Sequence, residues 1–239
     1  MTRVAVVAIV PAGGTGRRMG HRRPKQYLSL RGAPLIVYTL RALARRVDGM
    51  VVAVPADRLE ATRRLFARHR VPRVLGIVAG GAERQESVWN GLQHVPPETR
   101  WVIVHDAARP FVTASLVERV LAAARRHGAA TCGLAVRETV KRVRGPLVDA
   151  TLDREGLWLA QTPQAFRREL LREAHDRARR DGYTGTDDAA LVERLGARVA
   201  MVEGLPQNIK ITTPEDLKIA RRWLDRSGRL HGGGPIARA

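Results

Sequence analysis

Short, unbroken apolar runs alternate along this chain with stretches in which apolar residues recur every three or four positions. Residues 4–10, 50–54, 74–78, 101–104 and 129–136 are runs of the first kind and predict strands buried on both faces. Residues 35–46, 57–69, 83–94, 113–127 and 163–180 carry the helical period. In the fourth of these helices Leu116, Val117, Val120, Leu121 and Ala124 share one face, with Thr113 as N-cap. A last helix is announced by Thr213-Pro214-Glu215-Asp216, an N-cap, a proline at the first helical position and acids in the first turn, and runs to about Asp225. Buried strands separated by helices predict an α/β fold with a mostly parallel sheet covered on both faces.

One segment breaks this rhythm. Between residues 137 and 159 there is no long helical period. Val136, Thr139, Val140 and Val143 lead to a turn signal, Arg144-Gly145-Pro146, after which Leu147 and Val148 resume. This reads as a protruding β-hairpin arm. A lone two-stranded hairpin is marginal in water and gains stability by packing on another subunit. Residues 1–226 are expected to form one domain. Residues 227–239, with Gly232-Gly233-Gly234-Pro235, lack periodicity and read as a disordered tail.

The charge narrows the partners. Lys and Arg total 42 against 23 Asp and Glu, a net charge of +19, and only Lys25, Lys141, Lys210 and Lys218 are lysines. The arginines are spread along the chain, and aromatics make up 4%. A nucleic-acid surface concentrates basic charge on one face and interleaves it with aromatics, so this pattern reads as arginine-rich solvated faces with long-range attraction for anionic substrates. One cysteine, Cys132, excludes an internal disulfide and reads as a small core residue. No apolar stretch is long enough to cross a membrane, and no secretory leader is legible, so a cytoplasmic protein is expected.

Candidate chemistry begins where the first strand ends, in Pro11-Ala12-Gly13-Gly14-Thr15-Gly16-Arg17-Arg18-Met19, followed by Pro24-Lys25-Gln26-Tyr27-Leu28. Glycines at a strand end expose backbone N–H groups to an anion, and the arginines and lysine add charge that binds phosphate. The segment is not a P-loop, because no Lys-Ser or Lys-Thr pair follows the glycines. Met19 also occupies the third glycine position of a dinucleotide fingerprint. It reads as a polyphosphate cradle. Gly80-Gly81-Ala82 forms a second glycine turn after the third strand, where backbone could approach a ligand closely. Asp106, at the end of the fourth strand, suits Mg²⁺ or another hard divalent cation, which often uses one carboxylate plus phosphate oxygens. His105 reads as a packed histidine, and Thr186 or Asp187 as the cap of the helix that follows.

These residues also carry a resemblance. The glycine segment with Pro24-Lys25-Gln26-Tyr27 resembles the 2-C-methyl-D-erythritol 4-phosphate cytidylyltransferases of isoprenoid precursor synthesis. So do residues 80–88, His105-Asp106-Ala107-Ala108-Arg109-Pro110-Phe111, Thr162-Pro163-Gln164, Thr186-Asp187-Asp188-Ala189 and Asn208-Ile209-Lys210. The resemblance spans about residues 4–224 and implies a Rossmann-like nucleotidyltransferase domain that moves CMP from CTP to a sugar-alcohol phosphate. It implies catalytic roles for Arg18, Lys25 and Lys210, and nucleotide contacts from Ala12, Gly13, Gly14, Thr15, Gly16, Gly81, Ala82, Ser87 and Asp106, the last also holding Mg²⁺. Arg109, Thr139, Arg154, Thr162 and Lys210 fall at acceptor positions, with Arg84 helping to close the second glycine loop. It further implies a homodimer that clasps through the arm. Ribitol-5-phosphate cytidylyltransferase fits the same motifs, and a basic nucleic-acid-binding protein on the same scaffold is a third reading.

Overall fold

The computed structural model describes residues 5–14 and 24–224. Thr15, Gly16, Arg17, Arg18 and the tail from residue 225 onward, each singled out in the sequence, lie outside the described residues. In chain order the elements are β1 (Val6–Pro11), β2 (Ser29–Leu30), β3 (Ala33–Pro34), α1 (Leu35–Leu43), β4 (Gly49–Val54), α2 (Leu59–Arg68), β5 (Val74–Ala79), α3 (Arg84–Leu92), β6 (Trp101–Val104), α4 (Ala114–His127) and β7 (Ala129–Ala135). Then follow β8 (Val140–Arg144), β9 (Leu147–Leu152), β10 (Trp158–Arg167), α5 (Arg168–Arg180), α6 (Asp188–Arg194), β11 (Ala200–Glu203) and α7 (Pro214–Trp223).

Seven strands form the central sheet in the order β11-β7-β10-β6-β1-β4-β5. β10 runs antiparallel to both neighbours, and the remaining pairs are parallel. The two-residue period of a strand sends alternate side chains to opposite faces. Ala8, Val10, Val52 and Ile103 pack against Ile36 and Leu40 of α1 and Leu116 and Val120 of α4. Val7, Ile9, Val51 and Val104 pack against Val88 of α3, Leu171 of α5 and Val192 of α6. The apolar runs are therefore continuous because helices cover both faces. A smaller cluster, including Leu30, Leu35, Phe111, Leu217 and Leu224, docks α7 beside the β2–β3 ribbon.

Helix ends follow the local chemistry. The Thr113 hydroxyl accepts from the Leu116 N–H at 3.2 Å, and Gly128, at φ 88°, ends α4. Thr213 and Asp216 form a capping box on α7. Asp187 caps α6, accepting from the Ala190 N–H at 2.9 Å.

Two boundaries differ from the sequence reading. The helix expected over residues 163–180 starts only at Arg168, because Gln164–Arg167 is a strand paired with β6. Ala165 and Phe166 also pair with β7, beyond a register shift between Gln161 and Ala165 that accommodates Pro163, which has no N–H to donate. The arm is also shorter than 137–159. Its hairpin is β8–β9, whereas Trp158 and Leu159 pair with Ala135 and Leu134 in the main sheet. The hairpin carries its apolar side chains in the open: Leu147 is 72% exposed, and Val143 and Val148 are each 61% exposed. The β2–β3 ribbon and β11 were not predicted; two and four residues are too short to declare a period.

Candidate active site

The carboxyl ends of β1, β5 and β6 open onto one cavity of about 450 Å³. It is lined by Ala12, Gly13 and Gly14 after β1, by Gly81, Ala82, Glu83, Arg84 and Ser87 around the start of α3, and by Asp106 after β6. Lys25, Gln26 and Lys210 close its sides. This is the crevice where open α/β sheets bind ligands.

The two glycine turns lie side by side in the cavity lining: a Cβ on Gly13 would come 3.3 Å from the Ser87 hydroxyl oxygen and 4.0 Å from the Gly81 carbonyl oxygen. The Ala12 N–H donates to the Ala53 carbonyl at 2.7 Å, and the Gln26 side-chain amide donates to the Ala12 carbonyl. In the second turn the Gly80 N–H donates to the Val54 carbonyl, next along β4, at 2.7 Å. The Ser87 hydroxyl accepts from the Gly81 N–H at 3.1 Å and donates to the Glu83 carbonyl at 3.2 Å. The Glu86 carboxylate accepts from the Ala82 N–H at 2.7 Å. Close packing demands glycine here: a Cβ on Gly81 would lie 2.1 Å from the Cβ of Glu86, and one on Gly80 would lie 2.8 Å from the Ser87 hydroxyl oxygen.

Asp106 is the electrostatic centre. It is only 6% exposed. Its Oδ1 takes the Arg84 Nε at 3.0 Å, and its Oδ2 takes the Lys210 Nζ at 2.8 Å, with the Arg109 Nε at 3.7 Å. Burial by itself would raise its pKa. The attraction of Arg84, Lys210 and Arg109 outweighs burial and holds the carboxyl well below the usual carboxylate range. Arg109 is buried as well, and its Nη1 donates to the Asn208 carbonyl at 2.8 Å.

His105 and Thr162 fix the backbone that carries Asp106. The His105 Nε2–H donates to the Arg109 carbonyl at 3.1 Å, since a carbonyl can only accept. Its Nδ1 therefore accepts from the Thr162 hydroxyl at 3.0 Å, and that hydroxyl in turn accepts from the Asp106 N–H at 3.1 Å. Burial lowers the His105 pKa to about 4, so the ring is neutral at physiological pH. Cys132 is buried, its thiol donates to the Pro163 carbonyl at 3.4 Å, and burial pushes its pKa up to about 12.

Of the residues singled out in the sequence, the cavity gathers Ala12, Gly13, Gly14, Lys25, Gly81, Ala82, Ser87, Asp106 and Lys210. Arg109 and Thr162 stand behind Asp106, with the Thr162 hydroxyl engaged inside the protein. Thr139 and Arg154 lie exposed on the arm and do not line the cavity; Arg154 donates to the Arg137 carbonyl. Arg84 does more than close a loop: its Nη1 reaches Asp188 at 2.7 Å while its Nε holds Asp106. Asn208, whose side-chain amide donates to the Thr162 carbonyl at 2.8 Å, was marked only by its place beside Lys210.

Among the described residues no group of three His, Cys, Asp or Glu side chains could hold a metal alone. A hard divalent cation held with phosphate oxygens of a nucleotide needs as little as one carboxylate, and Asp106 is ionised and faces the cavity, but Arg84 and Lys210 engage its two oxygens, so a cation there would have to take the place of one of these contacts. No helix among the described residues is long and apolar enough to cross a membrane.

Parallel strands that end in two glycine turns, with cations gathered round one ionised carboxylate, suit the phosphates of a nucleotide, and the class to which the solved structures of this fold belong is that of the nucleotidyltransferases. The particular family follows from comparison: the chain belongs to the 2-C-methyl-D-erythritol 4-phosphate cytidylyltransferases, whose family model matches residues 6–226. The protein of that name from Syntrophus aciditrophicus (strain SB) is 47% identical over 230 residues, covering 94% of this chain and 98% of its own. That of Symbiobacterium thermophilum is 47% identical over 230 residues, covering 95% of each. The crystal structure of 2-C-methyl-D-erythritol 4-phosphate cytidylyltransferase from Thermus thermophilus superimposes with a TM-score of 0.78 at 39% identity, covering 92% of this chain and 98% of that one. The 4-diphosphocytidyl-2C-methyl-D-erythritol synthase of Anaerococcus prevotii gives a TM-score of 0.81 at 28% identity, covering 92% and 96%.

Proposed function

We propose that this chain transfers the cytidylyl group of CTP to 2-C-methyl-D-erythritol 4-phosphate, giving 4-diphosphocytidyl-2-C-methyl-D-erythritol and pyrophosphate in isoprenoid precursor synthesis. The observation that carries this reading is the gathering of two glycine turns, Lys25, Arg84 and Lys210 around Asp106 in one cavity of a chain that belongs to this family.

In the reaction an oxygen of the acceptor phosphate attacks the α-phosphorus, the bond from that phosphorus to the bridging oxygen breaks, and pyrophosphate leaves with the electron pair. Two polyanions must be held together, so positioning and charge stabilisation supply most of the acceleration. Lys25 and Arg18 are assigned to the triphosphate. Lys210 is assigned to the α-phosphate and the acceptor phosphate. The glycine turns and Ser87 are assigned to the base and sugar, where backbone groups can approach closely. Mg²⁺ bound at Asp106 would neutralise phosphate charge. Thr139 and Arg154 are assigned to the acceptor bound in a neighbouring subunit, because they stand away from their own cavity and the arm's apolar side chains are exposed. A homodimer acting in the cytoplasm completes the reading.

The test is pyrophosphate release from CTP with 2-C-methyl-D-erythritol 4-phosphate and ribitol 5-phosphate assayed side by side. Release with the first acceptor is expected. Release with ribitol 5-phosphate alone, or with neither, overturns the assignment.

A further inference from the structure

Behind the cavity lies a second buried carboxylate whose presence α6 does not require. Asp187 already caps that helix, yet Asp188, the next residue, is also acidic and wholly buried. Its Oδ2 takes the Arg84 Nη1 at 2.7 Å, and its Oδ1 takes the Nε2–H of His175 at 3.0 Å. His175 of α5 is itself wholly buried and stacks on Trp89 of α3, with ring centroids 6.3 Å apart and planes 24° apart. A buried charge is strongly unfavourable without partners. Arg84 and His175 outweigh the effect of burial and hold Asp188 below its ordinary pKa, so it is an anion. Arg84 therefore lies between two carboxylates, reaching Asp106 through Nε and Asp188 through Nη1, while its buried Nη2 has no hydrogen-bond partner among the described residues.

We infer that Asp188, braced by His175, is a positioning residue that divides the charge of Arg84 between two carboxylates and so leaves Oδ2 of Asp106 to Lys210. The guanidinium fork can bracket both oxygens of one carboxylate, and such bidentate pairs are among the strongest charge-assisted contacts. With Asp188 neutral, Asp106 is the anion that Arg84 already holds. Arg84 then turns onto both its oxygens and displaces Lys210. The kinetic consequence rests on the function proposed above; the displacement of Lys210 does not.

The test reads Lys210 directly. Its side chain is 38% exposed and so open to reagent, and only three other lysines are present to resolve by peptide mass spectrometry. In D188N, Lys210 is expected to be acylated by acetic anhydride about three- to tenfold faster relative to Lys218 than in the wild type, since it has lost its ion pair. In D188N/R84Q the acceleration should vanish, because no guanidinium remains to displace Lys210. Unchanged labelling in folded D188N, or acceleration that persists in the double variant, overturns the inference. If D188N does not fold, the double variant decides alone: it leaves neither Arg84 nor Asp188 as an unpaired buried charge, and faster labelling of Lys210 there overturns the inference. In turnover, D188N should lose about tenfold in kcat with the KM for CTP changed less than about threefold. Faster labelling with undiminished kcat would uphold the positioning role and remove the Asp106–Lys210 pair from the proposed catalysis.

Discussion

The cavity around Asp106 and the β8–β9 arm invert each other's chemistry. In the cavity, charged side chains are buried and their partners come from far along the chain. Arg84 and Asp188 are 104 positions apart, and Arg109 and Asn208 are 99 apart. In the arm, apolar side chains are exposed and the polar contacts are local, such as Arg142 to Asp149 at 2.7 Å and Lys141 to Thr151 at 2.6 Å. A buried charge network persists only where the whole fold fixes its members, so the cavity marks the place this chain organises by itself. An exposed apolar ribbon is stable only when something covers it. In the proposed dimer that cover is a second copy, and each site is built from one chain's cavity and the other chain's arm.

The largest expected effect separates chemistry from folding on the cavity side. Lys25→Ala should lower kcat by about 10²- to 10³-fold, as loss of a preorganised charge does elsewhere. Whatever Lys25 itself contacts, the turn that carries it is also held by its neighbours: Gln26 donates to the Ala12 carbonyl, and the Tyr27 hydroxyl meets that of Thr62 at 2.8 Å. The melting temperature should therefore move by no more than a few degrees. Near-normal turnover in the folded variant removes Lys25 from the mechanism.

The next experiment joins the two regions. Arg154→Ala and Lys25→Ala proteins should each be nearly inactive alone. After subunit exchange, random pairing makes half the dimers mixed, each with one intact site, so about a quarter of wild-type activity should return. No recovery, in the presence of mixed dimers demonstrated by mass spectrometry, would confine the arm residues to their own subunit or to no catalytic role.

The two regions also differed in how far the sequence disclosed them. The cavity's glycine turns, its Asp106 and the cap at Thr113 were legible because each depends on neighbouring residues. The same holds for the buried strands, whose runs are unbroken since helices cover both faces. What escaped depends on contacts distant in sequence. Gln164–Arg167 lies within a helical period, yet pairing with β6 and β7 makes it strand. Asp188 stood in the sequence only as part of the Thr186-Asp187-Asp188-Ala189 motif, because nothing local announces Arg84, and the lock from Asp106 through Thr162 to His105 joins residues 57 positions apart. The arm's hairpin was visible from its turn, but its end was not, since Trp158 and Leu159 continue the apolar pattern while changing sheets.

His105 gives a pH-dependent effect on the cavity side. Its pKa is about 4 when folded, below the ordinary value of 6.5, so the unfolded chain takes up the proton first as pH falls. Its contribution to stability is unchanged above about pH 6.5 and falls between there and pH 4, by about 1.4 kcal/mol per pH unit within that window. Urea unfolding at pH 7 and pH 5 should show a steeper loss for the wild type than for His105→Asn, which cannot titrate. Asp106, Asp188 and Asp216 have depressed pKa values, so their contribution is present above the unfolded carboxylate value of about 4 and is lost only at lower pH. Equal slopes for the two proteins would mean that His105 is not the buried neutral ring described above.

The smallest effect tests the arm alone. Val143 and Val148 face each other across the hairpin one pair from its turn, each 61% exposed. Replacing both with serine removes apolar area that the proposed partner would cover, at roughly 25 cal/mol per Å². The dimer dissociation constant should rise about tenfold, the equivalent of 1.4 kcal/mol, as read by sedimentation velocity over a dilution series. The monomer's melting temperature should not fall, because these side chains make no part of either core cluster on the main sheet. At dilutions where the variant is monomeric, activity should fall with the dimer fraction while the Lys210–Asp106 pair stays intact within each chain. A variant that dissociates yet keeps full turnover would show that the cavity works without the arm, and the two regions would then be neighbours in sequence with no shared chemistry. A variant that neither dissociates nor loses activity would move the dimer contact off the hairpin's apolar face.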